Sequence, residues 1–191
     1  MTAALTTPPA LEPVTLADAK AHLRIDGSDD DALLTAAVVA ARVHVEALTR
    51  RLLIEQGWRV YLDAWPKRRI VTIPVAPLMA VDSLTVFDPN GDPIVVTEDD
   101  YEVATVSVPG RLVLSSPVPV LVGRAVNGIE IDVTAGYGAS SIDVPGPLRQ
   151  AIMMLVAHWY EHRGAVGHDL AGDTPPQGFE ALIAPYRIFS L

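Results

Sequence analysis

Apolar side chains recur along this chain with two different periods. From Thr15 and again from Pro147 they fall three and four residues apart, the spacing of one helix face. Between Trp58 and Thr134, Val and Ile alternate with polar residues and turn signals, the spacing of strands. Thr15 followed by Asp18 predicts a helix start, with Leu16, Ala19 and Leu23 on one face of a helix over 16–24. Asp26-Gly-Ser-Asp-Asp-Asp31 reads as a turn that becomes the acidic start of a longer helix, 30–53. Its expected apolar stripe is Leu33, Ala37, Ala40, Ala41, Val45, Leu48 and Leu52, and Gly57 marks its stop. Alanines 32, 36, 37, 40 and 41 leave room for another helix to approach closely, in the same subunit or a neighbouring one. A third helix runs over 147–163, opened by a first-turn proline and striped by Leu148, Ile152, Leu155, Val156 and Trp159.

The strand region divides at its turns. The expected strands are 58–65, 70–73, 81–87, 94–96, 101–106, 111–114 and 129–134. Asp88-Pro-Asn-Gly-Asp92 and Val108-Pro-Gly110 predict two hairpins. Residues 1–14 hold Pro8, Pro9 and Pro13 and read as an extended arm. The layout is therefore an arm (1–14), a helical part (15–57), a β insertion (58–144), a returning helix (145–163), and a loop and tail (164–191). Phe179–Ala184 is expected to add one more helical turn within that last segment. Because the three helical stripes need one another, the fold class expected is α+β: a bundle of three main helices with an inserted antiparallel β lobe.

Composition narrows the function. The 191 residues are 50% hydrophobic and 19% charged, enough to bury a core in one domain or one with an inserted subdomain. A net charge of −9 argues against a protein that wraps nucleic acid, although it suits a wall that should not grip it. The absence of cysteine removes disulfides, thiolate metal sites and a Cys nucleophile. The first ten residues lack the basic and apolar regions of a signal peptide, and the apolar stretches are expected to be too short or broken to span a bilayer. A soluble, intracellular protein is expected.

No catalytic set emerges. His158-Trp-Tyr-Glu-His162 matches H-x-x-E-H, two histidines one turn apart with a glutamate, but a third ligand is missing and Glu180 is the only later glutamate. Two helix-end histidines near the negative end of the dipole explain it better. Asp26, Asp29, Asp30 and Asp31 lack the calcium-loop pattern and read as a helix N-terminus. Gly136-Tyr-Gly138 lacks the Lys-Ser/Thr of a phosphate loop, and Lys67-Arg-Arg69 is a short basic turn. No cofactor, metal or catalytic residue is expected.

Several segments, in order, carry a resemblance. They are Val14-Thr-Leu-Ala-Asp-Ala-Lys-Ala-His-Leu-Arg-Ile-Asp26, Asp29-Asp-Asp-Ala-Leu33, and the long helix with Ala41, Val45-Glu46 and Thr49-Arg50. Next come Ile73-Pro-Val-Ala-Pro77 before Val81-Asp-Ser-Leu84, Thr134-Ala-Gly-Tyr-Gly138, Val144-Pro145, the helix ending His-Trp-Tyr-Glu-His-Arg163, and Pro185-Tyr-Arg187. Together they resemble the head–tail connector (adaptor) family of long-tailed phages and gene transfer agents, over most of residues 14–163. The resemblance implies a non-enzymatic subunit of a ring of about twelve copies under the portal of a DNA-filled capsid. That ring bridges portal to stopper or tail-completion protein and continues the DNA channel, with double-stranded DNA passing transiently and no membrane involved. It implies a place at the virion or particle neck, and in the host cytoplasm during assembly.

Two sets of residues are expected to serve such a ring. Arg42, Glu46 and Arg50 lie one turn apart on a separate face of the long helix, where ring neighbours can meet them. The tail carries Pro185, Tyr186, Arg187, Ile188, Phe189 and Leu191, apolar but for one charge. Its apolar side chains need burial, on the subunit's own bundle or on a partner, which the resemblance makes the portal. A metal-dependent hydrolase built on residues 158–162 and a small assembly chaperone are the alternative readings.

Overall fold

A computed structural model describes residues 1–115, 120–162 and 175–188. The chain is a mixed α+β protein that divides into two compact units. One comprises Met1–Ala10 and Glu55–Tyr137; the other comprises Leu11–Ile54 and Gly138–Leu191.

The first unit holds eight strands among the described residues: β1 (Thr2–Thr7), β2 (Gln56–Leu62), β3 (Ile70–Thr72), β4 (Leu78–Phe87), β5 (Pro93–Val95), β6 (Tyr101–Ala104), β7 (Arg111–Leu114) and β8 (Ile129–Ala135). They form two antiparallel sheets, ordered β1-β2-β8-β4-β5 and β3-β7-β6. Strand β8 lies centrally because its alternation is complete: Ile129, Ile131, Val133 and Ala135 are all buried, with polar residues between them. Its other face carries a cross-strand ion pair. Arg59 on β2 reaches Asp132 through two bonds of 2.7 and 3.0 Å, and Ser83 on β4 donates to the same carboxylate at 2.9 Å. The Arg59 hydrogen bonds hold Asp132 below the usual carboxylate range.

The two predicted hairpins form. In the first, Gly91 takes a left-handed φ of 89°, and the Asp88 side chain accepts from the Asn90 and Asp92 backbone at 2.7 and 2.9 Å. In the second, Gly110 is required by proximity, since a Cβ there would lie 2.6 Å from Leu78. The arm expected over 1–14 is instead split. Thr2–Thr7 pairs with β2, because the prolines begin only at Pro8 and leave the first residues free to join a ladder.

The second unit holds α1 (Leu16–Leu23), α2 (Asp31–Thr49), α3 (Gly146–Glu161) and the short α4 (Phe179–Ile183). Thr15 caps α1: its hydroxyl accepts from Asp18 N at 3.1 Å, while the Asp18 carboxylate accepts from Thr15 N at 3.1 Å. The core joins Leu34, Val38, Ala41 and Val45 of α2 to Leu148, Ile152 and Leu155 of α3, with Phe179 and Ile183 of α4 fully buried. The His44 ring lies near both Trp159 and Phe179, at centroid distances of 6.1 and 6.2 Å.

Two features of α2 differ from the sequence reading. The helix ends at Thr49, where Arg50 turns left-handed (φ 57°), so Leu52 lies beyond it. Of the expected stripe Ala41 and Val45 are buried, but they are joined by Leu34, Val38, Arg42 and Thr49 in place of Leu33 and Ala40. Leu33 is 44% exposed and Ala40 is also outside. The register was ambiguous because α2 is apolar on both sides. Against the expected absence of such a stretch, α2 is long and apolar enough to cross a membrane by length and composition alone, and a third of it is buried inside the protein.

Replacing Thr15 with Ala removes the cap on α1 and should lower unfolding free energy by about 1 kcal/mol in a denaturant titration; an unchanged midpoint would show that the cap carries no stability.

Candidate assembly surfaces

Arg42 and Glu46 stand one turn apart on α2, as expected, but they do not face outward. Arg42 is only 8% exposed. Its Nε donates to Glu12 at 2.7 Å and its Nη1 to Glu46 at 2.8 Å. The other Glu46 oxygen accepts from the Leu53 backbone N–H at 2.9 Å. One guanidinium thus ties the segment before α1 and, through Glu46, the segment after α2 to the body of α2. Burial raises the Glu46 pKa, opposed by the Leu53 N–H and by Arg42. The exposed-charge reading of these two residues is therefore corrected: both are engaged within the subunit. A salt-bridging i,i+4 pair looks the same in sequence whether it lies on an open or a covered face. Arg50, the third member, is exposed at the end of α2.

The C-terminal segment packs on its own unit as far as it is described. Ala184–Tyr186 forms a helical turn after α4. Arg51 donates to the Tyr186 carbonyl at 2.6 Å, and Ile188 N donates to the Thr49 carbonyl at 3.0 Å, satisfying a carbonyl at the end of α2. Arg187 pairs with Glu180 at 2.7 Å. Pro185 is exposed, while Tyr186, Arg187 and Ile188 are half-buried. Phe189 and Leu191 lie outside the described residues, as do 164–174 of the loop.

His158 and His162 come together at the end of α3, ring centroids 4.4 Å apart. His162 Nδ1 lies 2.8 Å from the His158 carbonyl, within hydrogen-bond distance. No group of three or more His, Cys, Asp or Glu able to hold a metal occurs among the described residues. The acidic run before α2 is used structurally. Asp30 accepts from the Tyr160 hydroxyl at 2.5 Å, and Asp31 pairs with Lys20 at 2.6 Å.

The alanine-rich face of α2, expected to meet another helix in the same subunit or a neighbouring one, is divided: Ala41 is buried, while the outer side of the helix is open. Leu33, Ala36, Val39, Ala40, Val43 and Ala47 are all exposed there. The signal was present, since a helix that is apolar all round must be covered on both sides.

Residues 12–174 match the family described as head completion protein. The chain belongs to that family. It is also 29% identical to a chain in the neck of an empty gene transfer agent particle computed with C6 symmetry. That match covers 100% of this chain and 97% of the other, with a TM-score of 0.81. A chain from the virion of the native gene transfer agent particle and one from its neck computed with C12 symmetry match with the same identity and coverage, each at a TM-score of 0.78. No curated protein matches. The protein is thus a structural head–tail connector subunit, and the hydrolase reading of residues 158–162 finds no support.

Replacing Arg42 with Ala leaves two covered carboxylates without their shared cation and should cost about 3 kcal/mol of stability in a denaturant titration. Glu46→Lys, which sets a second cation against Arg42, should impair folding of the free chain itself. Because Glu46 has a raised pKa in the fold, its contribution is fully present below the unfolded value and declines as pH rises through the folded one. The stability of the protein relative to Glu46→Gln should therefore fall as pH rises above the ordinary glutamate range; a difference that is flat or rises with pH would contradict this account.

Proposed function

We propose that this protein forms a ring of about twelve copies at the neck of a phage or gene transfer agent particle, beneath the portal. There it bridges the portal to a stopper or tail-completion protein and continues the DNA channel. The observation that carries this reading is the end-to-end likeness, at 29% identity, to chains of gene transfer agent necks computed with C6 and C12 symmetry. The charge of the chain agrees with it. At −9, a channel wall repels the DNA backbone and lets it slide, where a basic wall would hold it. The role is structural, and no residue is assigned to catalysis.

Arg50 stays a candidate for ring contact, and the C-terminal end stays the candidate for the portal. Since Tyr186 and Ile188 also fasten the end of α2, the last three residues are the cleaner place to test that contact.

Disruption of the gene should give capsids without tails, and supplying the intact protein should restore tailed particles; normal tailed particles in its absence would refute the connector role. Deleting 189–191 should leave the free chain folded while reducing its recovery with portal-bearing capsids. Deleting 185–191 should in addition cost about 1–2 kcal/mol, from the lost hydrogen bonds of Tyr186 and Ile188 and the partly exposed Arg187–Glu180 pair. Full recovery of the shorter deletion on capsids would rule out residues 189–191 as the portal anchor, and full recovery of the longer one would rule out the tail.

A further inference from the structure

We propose that the outer face of α2 is where each subunit packs against the next copy of this chain in the ring, an inference that rests on the connector reading. The face is defined by what the inner side uses. Leu34, Val38, Ala41, Val45 and Thr49 turn into the helical unit, so Leu33, Ala36, Val39, Ala40, Val43 and Ala47 point away from it. Leu33, Val39 and Val43 are 44%, 38% and 51% exposed. A helix lying on a soluble protein normally turns charged and polar residues outward. Here the helix runs from Leu33 to Ala47 without one charge on that side.

The chemistry selects the occupant. DNA is excluded, because a phosphate backbone is held by cations and the face offers none. A charged peptide finds no counter-charge. An apolar protein surface fits, and the alanines at 36, 40 and 47 let it approach the helix backbone closely. In a closed ring every subunit must give its neighbours two different patches, whatever else it binds. Neck chains computed with C12 symmetry align with this chain over its whole length, α2 included. A second copy is therefore a partner that the connector reading already requires.

The size of the face adds a constraint. From residue 33 to 47 it runs about 21 Å and is about 10 Å wide, on the order of 200 Å². A stable pair of free proteins buries about 800 Å² on each partner. The face alone is too small to hold two free copies together, so in the ring other surfaces of the subunit add to the contact.

The test places the photo-cross-linker p-benzoylphenylalanine at position 43, and separately at 39, in the full chain supplied to assembling particles. Irradiated particles should give a ladder rising in steps of 20.4 kDa, each band containing this chain alone. Because the chain has no cysteine, Val43→Cys gives a second readout with a smaller change. Its reaction with a soluble maleimide should slow at least tenfold between the free chain and the particle. Adducts to a different neck protein or to lipid, or a thiol at position 43 that reacts equally fast in both states, would overturn the assignment while leaving the connector role standing. Absence of the unmodified chain from particles would overturn the connector role itself.

Discussion

The helical unit depends on keeping one arginine neutralised where water barely reaches it. Arg42 lies on the covered side of α2 and is held by two carboxylates, one a turn away on the same helix and one from the segment before α1. Glu46 then uses its second oxygen on the Leu53 backbone, just after α2. A charge in such a place is tolerated only when its donors find acceptors, so the arrangement fixes the chain on both sides of the helix. Leu11 and Ile54 bound this part of the unit, and Glu12 and Leu53 are their immediate neighbours in the chain.

That solution leaves α2 free to be apolar nearly everywhere else. Its inner stripe meets α3 and α4 through Leu, Val and Ala, with His44 near both Trp159 and Phe179. Its outer side carries Val, Leu and Ala with no charge, which is costly for a lone soluble subunit and useful for one that meets copies of itself.

The sheets solve a different problem. The cross-strand grip of Arg59 on Asp132, with Ser83 on the same carboxylate, neutralises part of an acidic surface without making it basic. The bonds tie β2 and β4 to the central strand β8.

Element type and order were legible in the sequence, because period and turn chemistry are local. Thr15 and Asp18 begin α1, Pro147 opens α3, Asp88–Asp92 turns a hairpin, and the alternation of 129–135 makes the central strand. The family was legible from motifs kept in order. Which side of α2 is buried was not, because an all-round apolar helix offers two stripes of nearly equal merit and only its packing partners choose between them. The same holds for Arg42 and Glu46: spacing made them a pair, but whether water surrounds the pair depends on Glu12, thirty residues before Arg42, and on the turn after α2 that brings the Leu53 N–H back to Glu46. The joining of Thr2–Thr7 to β2, some fifty residues away, was likewise beyond local pattern. Local chemistry set what each segment becomes, and tertiary contact decided which of its faces the protein keeps for itself and which it leaves for others.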